Sequence, residues 1–165
     1  MSEGTMRLEV RAGAYVASRE AHHVLETSSL GSCVAVALYD ARARVAGLCH
    51  APLDRRARFP ASTPVGDCAD SAILALVEAM VALGAEPSRM VATVAGAANM
   101  FPAAEVPVYD VGRWNLAAAK ETLCLLGIPV VRADVGGAVA RRLRIDVACG
   151  TSRIRRAGEA WERGG

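Results

Sequence analysis

Leu30-Gly31-Ser32-Cys33-Val34-Ala35-Val36-Ala37-Leu38-Tyr39 and, after a short polar break, Val45-Ala46-Gly47-Leu48-Cys49-His50 together decide how this chain folds. Each half is a short apolar run, the first rich in valine, and Asp40 opens a turn between them. The pair therefore reads as an antiparallel hairpin buried in a sheet. With a four-residue loop from Asp40 to Ala43, Tyr39 faces Arg44, and counting outward sets Cys33 directly opposite His50. Facing residues share one side of a sheet with Cβ atoms about 5 Å apart. The same register sends Cys49 to the other face beside Val34 as a core thiol. Ala35 and Ala37 lie on the Cys33 face, which leaves room there for a covering layer.

Working outward, Ala14 to Ala17 reads as a first strand behind a short polar leader, and Ala51 to Gly66 as an irregular, proline-bearing loop. Asp67 to Leu83 is the clearest helix. Ile73, Leu76, Val77, Met80 and Val81 recur at helical spacing, Asp67 suits the N-cap, and Gly84 stops the helix. A strand over Met90 to Ala95, a loop over Gly96 to Tyr109 and a second helix over Val111 to Leu126 follow, closed by Gly127 and Pro129. Val130 to Val135, Val139 to Val147 and Gly150 to Ile154 read as further strands, with Gly136 and Gly137 turning between the first two. Strands that arrive in hairpins rather than in alternation with helices point to an α+β fold, a layered sandwich of mainly antiparallel strands with two principal helices.

A chain of 165 residues fits one domain over 1–165, here with a core over about 14–155 and a tail free to fray after Arg156. Its 53% apolar content, mostly alanine and valine, argues for a close-packed core. Five cysteines, at 33, 49, 68, 124 and 149, are odd in number and form no CxxC pair, so neither a disulfide framework nor a zinc site is expected. The polar stretch from Met1 to Arg11 and the lack of an apolar run of membrane-spanning length point to a cytoplasmic protein without membrane insertion. The net charge of +2 hides an arginine-rich last quarter. There Leu143, Ile145 and Val147 alternate with Arg142, Arg144 and Asp146 as in a half-buried strand with a solvated face, so no nucleic-acid partner is inferred. His22 and His23, in a polar stretch, read as surface residues.

Cys33 and His50 are the candidates for chemistry. A free thiol titrates near 8.5 and is mostly protonated at neutral pH, and a neighbouring imidazolium lowers that value by about a unit or more. Gly31 permits unusual dihedrals, so amides around Ser32 and Cys33 can be aimed at a developing oxyanion. The alternative is that both cysteines are ordinary core residues and His50 a satisfied strand-end histidine. The residues alone leave both open.

The pattern resembles the CheD family of chemoreceptor glutamine deamidases. Leu-Gly-Ser-Cys followed by a valine-rich strand stands at Leu30 to Val36, a histidine falls seventeen residues after the cysteine at His50, and a threonine six residues before it at Thr27. The resemblance continues through Leu83-Gly84-Ala85, Gly96 to Met100, Gly112 to Asn115, and Asp134 with Gly136-Gly137, spanning roughly Ala14 to Arg155. Three places depart from it: Ser28-Ser29 ahead of the motif, Ala51-Pro52-Leu53 after the histidine, and Ala140 before Arg141.

The resemblance implies a protein-glutamine glutaminase with Cys33 as nucleophile, His50 as base and Thr27 orienting the imidazole. Gly31, Ser32, Gly96 and Asn99 would shape the oxyanion and substrate pocket, Asn115 also lying near it. No metal or organic cofactor is implied. The implied substrates are methyl-accepting chemotaxis receptors, and a CheC-type chemotaxis phosphatase is an implied partner. A non-catalytic adaptor binding receptor or phosphatase on the same fold is the competing reading.

Overall fold

The computed structural model describes residues 4–100 and 110–163, so residues 101–109 of the expected loop lie outside the described residues. Its elements run β1 (Met6–Val10), β2 (Tyr15–Ser18), β3 (His23–Thr27), β4 (Val34–Asp40), β5 (Val45–Ala51), α1 (Ala69–Ala82), β6 (Val91–Gly96), α2 (Val111–Leu125), β7 (Val130–Val135), β8 (Arg141–Asp146) and β9 (Ser152–Arg156). A five-stranded sheet of order β2-β5-β4-β6-β7 and a four-stranded sheet of order β1-β3-β8-β9 form two of three layers. The two helices form the third. The α+β layered architecture read from the sequence is the one the chain adopts.

β4 is central in the larger sheet and buried along its whole length because both its faces are covered. Val34, Val36 and Leu38 pack with Cys49 against Ile73, Leu76 and Met80 of α1 and Leu123 of α2. Ala35 and Ala37 turn the other way, toward Leu25, Leu143 and Ile145 of the smaller sheet. Each fully buried leucine or isoleucine of these clusters contributes about 1.5–3 kcal/mol relative to exposure. The small alanines let the second sheet approach on the side that carries Cys33. α1 stops at Gly84 (φ 102) and α2 at Gly127 (φ 69), both left-handed as glycine allows.

Several expectations shift. The hairpin loop is one residue further on: Asp40 pairs with Val45, and Ala35, not Cys33, faces His50. The cause is the Asp40 carboxylate, which accepts from the amides of Arg42 (3.0 Å), Ala43 (3.2 Å) and Glu86 (2.9 Å) and so folds the turn beyond itself. Burial alone would raise its pKa. The Arg89 guanidinium and these amides outweigh burial and hold it at about 2. The register therefore moves by two residues, an even step. Cys33 and His50 stay on one face as diagonal neighbours, and Cys49 faces Val36 rather than Val34.

Asp67 does not cap α1. It lies in a short helical turn over Val65–Asp67, and Cys68 is the N-cap, held extended between the two helical segments as its neighbours Asp67 and Ala69 bond through their backbones to Leu53. The polar leader contains β1, and His23 opens β3, where its Nδ1 meets the Ser18 hydroxyl at 2.7 Å. β7 and β8 form no hairpin: they belong to different sheets, and β7 runs parallel to β6 after the α2 crossover. Beyond Arg156 the chain remains in contact with the smaller sheet. Trp161 lies 4.0 Å from the Arg144 guanidinium, and Glu162 accepts from the amide of Ile154.

Candidate active site

Cys33 stands immediately ahead of β4, half-exposed, with its side chain on the face covered by the smaller sheet. Burial pushes its thiol pKa up, while its own backbone N–H, directed at the sulfur, acts the other way. His50, two residues further along that face on β5, is 1% exposed. Its Nδ1 lies 3.1 Å from the Val10 carbonyl and 3.4 Å from the Ser28 hydroxyl. A carbonyl only accepts, so Nδ1 carries the proton and Nε2 is left as the basic nitrogen. Nε2 is buried and has no hydrogen-bond partner. Burial lowers the His50 pKa, the Val10 bond partly opposing it.

The resting pair is thus a thiol and a neutral imidazole, not the thiolate and imidazolium that a directly facing register would favour. Diagonal neighbours on antiparallel strands have Cβ atoms somewhat under about 7–8 Å apart, a gap that side-chain rotation can close. Cys49, by contrast, is sealed in the helix-facing core, which drives its thiol pKa up to about 12.

Thr27 is fully buried, and its Oγ1 accepts from the Leu143 amide at 3.0 Å. Its connection to the imidazole runs through backbone: Thr27 pairs with Val10 across β3 and β1, and Ser28 N–H donates to the same Val10 carbonyl that holds His50. The direct contacts on the ring therefore come from Val10 and Ser28, neither foreseen in the sequence. The signal for Val10 was present, since Met6, Leu8 and Val10 alternate with Arg7 and Glu9.

The pocket candidates surround Cys33. Its carbonyl accepts from Ala97 N–H at 2.8 Å, and the Gly31 carbonyl accepts from Ala98 N–H at 2.9 Å, so the Cys33 loop is stitched to the segment after β6. Gly96 makes this possible: its φ is +100°, and a Cβ there would stand 2.3 Å from the Cys33 carbonyl oxygen. Ser32 and Asn99 line a cleft of about 200 Å³ together with Met100, Asp110 and Gly112, a cleft that Cys33 itself does not line. A second hollow of about 310 Å³ opens at the far end of β4 by Tyr39, Thr93 and Arg132, and no cysteine or histidine lines it. Arg141 was not foreseen either. Its backbone pairs with Leu30, and its guanidinium donates to Asp134 (3.0 Å) and to the Gly136 carbonyl (2.7 Å). It holds the inward phase of the alternation that buries Leu143 and Ile145, which was the available clue.

A family model described as CheD chemotactic sensory transduction matches residues 52–156. The chain belongs to the CheD family. Among the family's curated members, "Probable chemoreceptor glutamine deamidase CheD" of Moorella thermoacetica is 39% identical over 136 residues, covering 81% of this chain and 81% of that protein. The protein of the same name from Thermococcus kodakarensis is 35% identical over 151 residues, 92% of this chain and 93% of that one. Of solved structures, a hypothetical protein YfiH of Bacillus licheniformis aligns with a TM-score of 0.48 at 14% identity, over 73% of this chain and 49% of that one.

Proposed function

We propose that this CheD-family chain deamidates glutamine side chains on the cytoplasmic helices of chemotaxis receptors, with Cys33 as nucleophile and His50 as general base. The observation that carries the reading is the buried His50 ring. Its Nδ1 is fixed on the Val10 carbonyl and its Nε2 has no hydrogen-bond partner, on the sheet face that also bears the half-exposed Cys33. A buried acceptor without a partner is costly, and a base awaiting a proton is the chemical use of one. The relatives' printed name supplies the substrate class.

The steps follow from the donors and acceptors in place. As the Cys33 sulfur bonds to the side-chain carboxamide carbon, its proton passes to His50 Nε2. The resulting imidazolium, still donating through Nδ1 to Val10, gives that proton to the departing nitrogen, and ammonia leaves a thioester. Water then attacks the thioester carbon, giving a proton through His50 to the leaving thiolate, and glutamate is released. Thr27 acts as a positioning residue by pairing its strand with that of Val10.

The test is to incubate receptor cytoplasmic fragments with the protein and follow peptide mass. Wild type is expected to add about 1 Da at particular glutamines, and Cys33→Ala and His50→Ala to add none, by the nucleophile-and-base argument. Deamidation undiminished in Cys33→Ala would end the reading. Binding of receptor or of a CheC-type phosphatase without any mass change would favour the adaptor.

A further inference from the structure

Asn115 lies in the body of α2, where asparagine is a poor helix former, and it is completely buried. Its Nδ2 donates to two carbonyls, Ser32 at 3.0 Å and Pro52 at 3.0 Å. Two acceptors fix which end of the amide is nitrogen, and Oδ1 is left buried without a partner. A side chain serving only to fill space would not carry an unmet acceptor, and such breaches of local rules gather where a site is held in shape. What it holds is specific. Ser32 precedes the nucleophile, and Pro52 follows His50 by two residues.

Gly112 brings the asparagine within reach. A Cβ at that position would lie 2.6 Å from the Ala98 carbonyl oxygen and 2.7 Å from the Ala97 carbonyl carbon, so only glycine lets the first turn of α2 press onto this segment. Asn115, three residues on, is on the same helix face and meets the Ser32 carbonyl.

We infer that Asn115 is a positioning residue that sets the Ser32–Cys33 peptide so that the Cys33 N–H faces the site of the oxyanion. In a trans peptide the C=O and N–H point in opposite directions. Asn115 draws the Ser32 carbonyl toward α2, on one face of the larger sheet, and the Cys33 N–H consequently turns to the other face, where the thiol lies. An acyl carbon bonded to the sulfur would place its oxyanion within reach of that N–H. The inference rests on Cys33 being the nucleophile of the proposed reaction and does not depend on which amide is cleaved.

The experiment compares two reactions of Cys33 in the full chain, each with the Cys33→Ala rate subtracted to remove the other cysteines. With p-nitrophenyl acetate, an S–C bond forms and nitrophenolate leaves through an oxyanionic intermediate, the thiol proton passing to His50. Iodoacetamide instead alkylates sulfur with loss of iodide and forms no oxyanion. In Asn115→Ala the acylation rate is expected to fall at least about tenfold, toward the roughly hundredfold loss seen when an oxyanion donor is removed, with alkylation within about twofold of wild type.

Acylation and alkylation falling in parallel would mean general collapse of the loop and would overturn the inference. So would an unchanged acylation rate, or wild-type acylation no faster than that of Cys33→Ala. Receptor deamidation is measured beside them, with kcat expected to fall and KM to hold. If wild type leaves receptors untouched while the acylation difference persists, the substrate reading fails and the positioning role stands.

Discussion

At the scale of single residues, the proposed chemistry turns on two groups that burial moves in opposite senses. The Cys33 thiol is raised above its ordinary value, and the His50 imidazolium is destabilised below its ordinary 6.5. Between those values thiol and base are both neutral. kcat/KM for deamidation is therefore expected to show an acid limb with its midpoint below 6.5, where His50 gains a proton and ceases to be a base, and to stay flat through neutral pH. Iodoacetamide alkylation of the resting thiol should instead climb through pH 9 without levelling. An alkylation plateau below pH 7 would mean a preformed thiolate and imidazolium, and the neutral-pair account would be lost. Parity alone made the Cys33–His50 face legible, because side chains alternate with period two. Alternation signalled the strand that carries Val10, but not that its carbonyl fixes the ring, since Val10 is remote from His50 in sequence and acts through its backbone.

At the scale of elements, the hairpin shows how one side chain sets a register. The apolar runs of β4 and β5 were plain in the sequence, but the number of loop residues depended on Asp40 accepting amides from both its own turn and Glu86. β3 was hidden for a related reason: Glu26 is buried there because Arg7, Arg142 and Arg144 from two neighbouring strands approach it, a compensation that no local pattern displays. The β6-to-loop junction makes a sharper claim. Gly96 combines a φ of +100° with backbone 2.3 Å from any added Cβ, so Gly96→Ala must displace the Cys33 carbonyl. That substitution is expected to cost about 2–4 kcal/mol, since backbone strain of this kind is worth about 1–3 kcal/mol and the clash adds to it. Thermal unfolding should report a midpoint lower by about 5–15 °C. Receptor deamidation should fall further than the folded fraction does, because the displaced group is the backbone of Cys33, the proposed nucleophile.

At the scale of the whole molecule, the two sheets are joined beside the active site by a charge cluster as well as by the core. Asp134 belongs to β7 in the larger sheet, whereas Arg141 and Arg156 belong to β8 and β9 in the smaller one. Alternation and apolar runs foretold the layers, but not that an aspartate before two glycines would clasp the other sheet rather than serve a hairpin turn. The Arg156 hydrogen bond, against some burial cost and aided by the charge of Arg141, holds the Asp134 carboxyl below its ordinary 3.8. A carboxylate with a depressed folded pKa adds stability that is fully present above its unfolded value and disappears as the pH drops through the folded one. Asp134→Asn removes this contribution and strips a buried guanidinium of its counter-charge, although the Gly136 and Val139 carbonyls still receive Arg141. With Arg156 half-exposed and its share screened by solvent, the expected loss is about 2 kcal/mol. Urea midpoints of wild type and variant should differ by a constant amount from pH 8 down to pH 5. Below about pH 4 the gap should narrow, as wild-type Asp134 takes up a proton and comes to resemble the amide. A gap unchanged down to pH 2 would place the lost stability in packing rather than in the ionised clasp. Because Arg141 also pairs with Leu30, the variant should lose some deamidase activity at pH 7 even where it is fully folded.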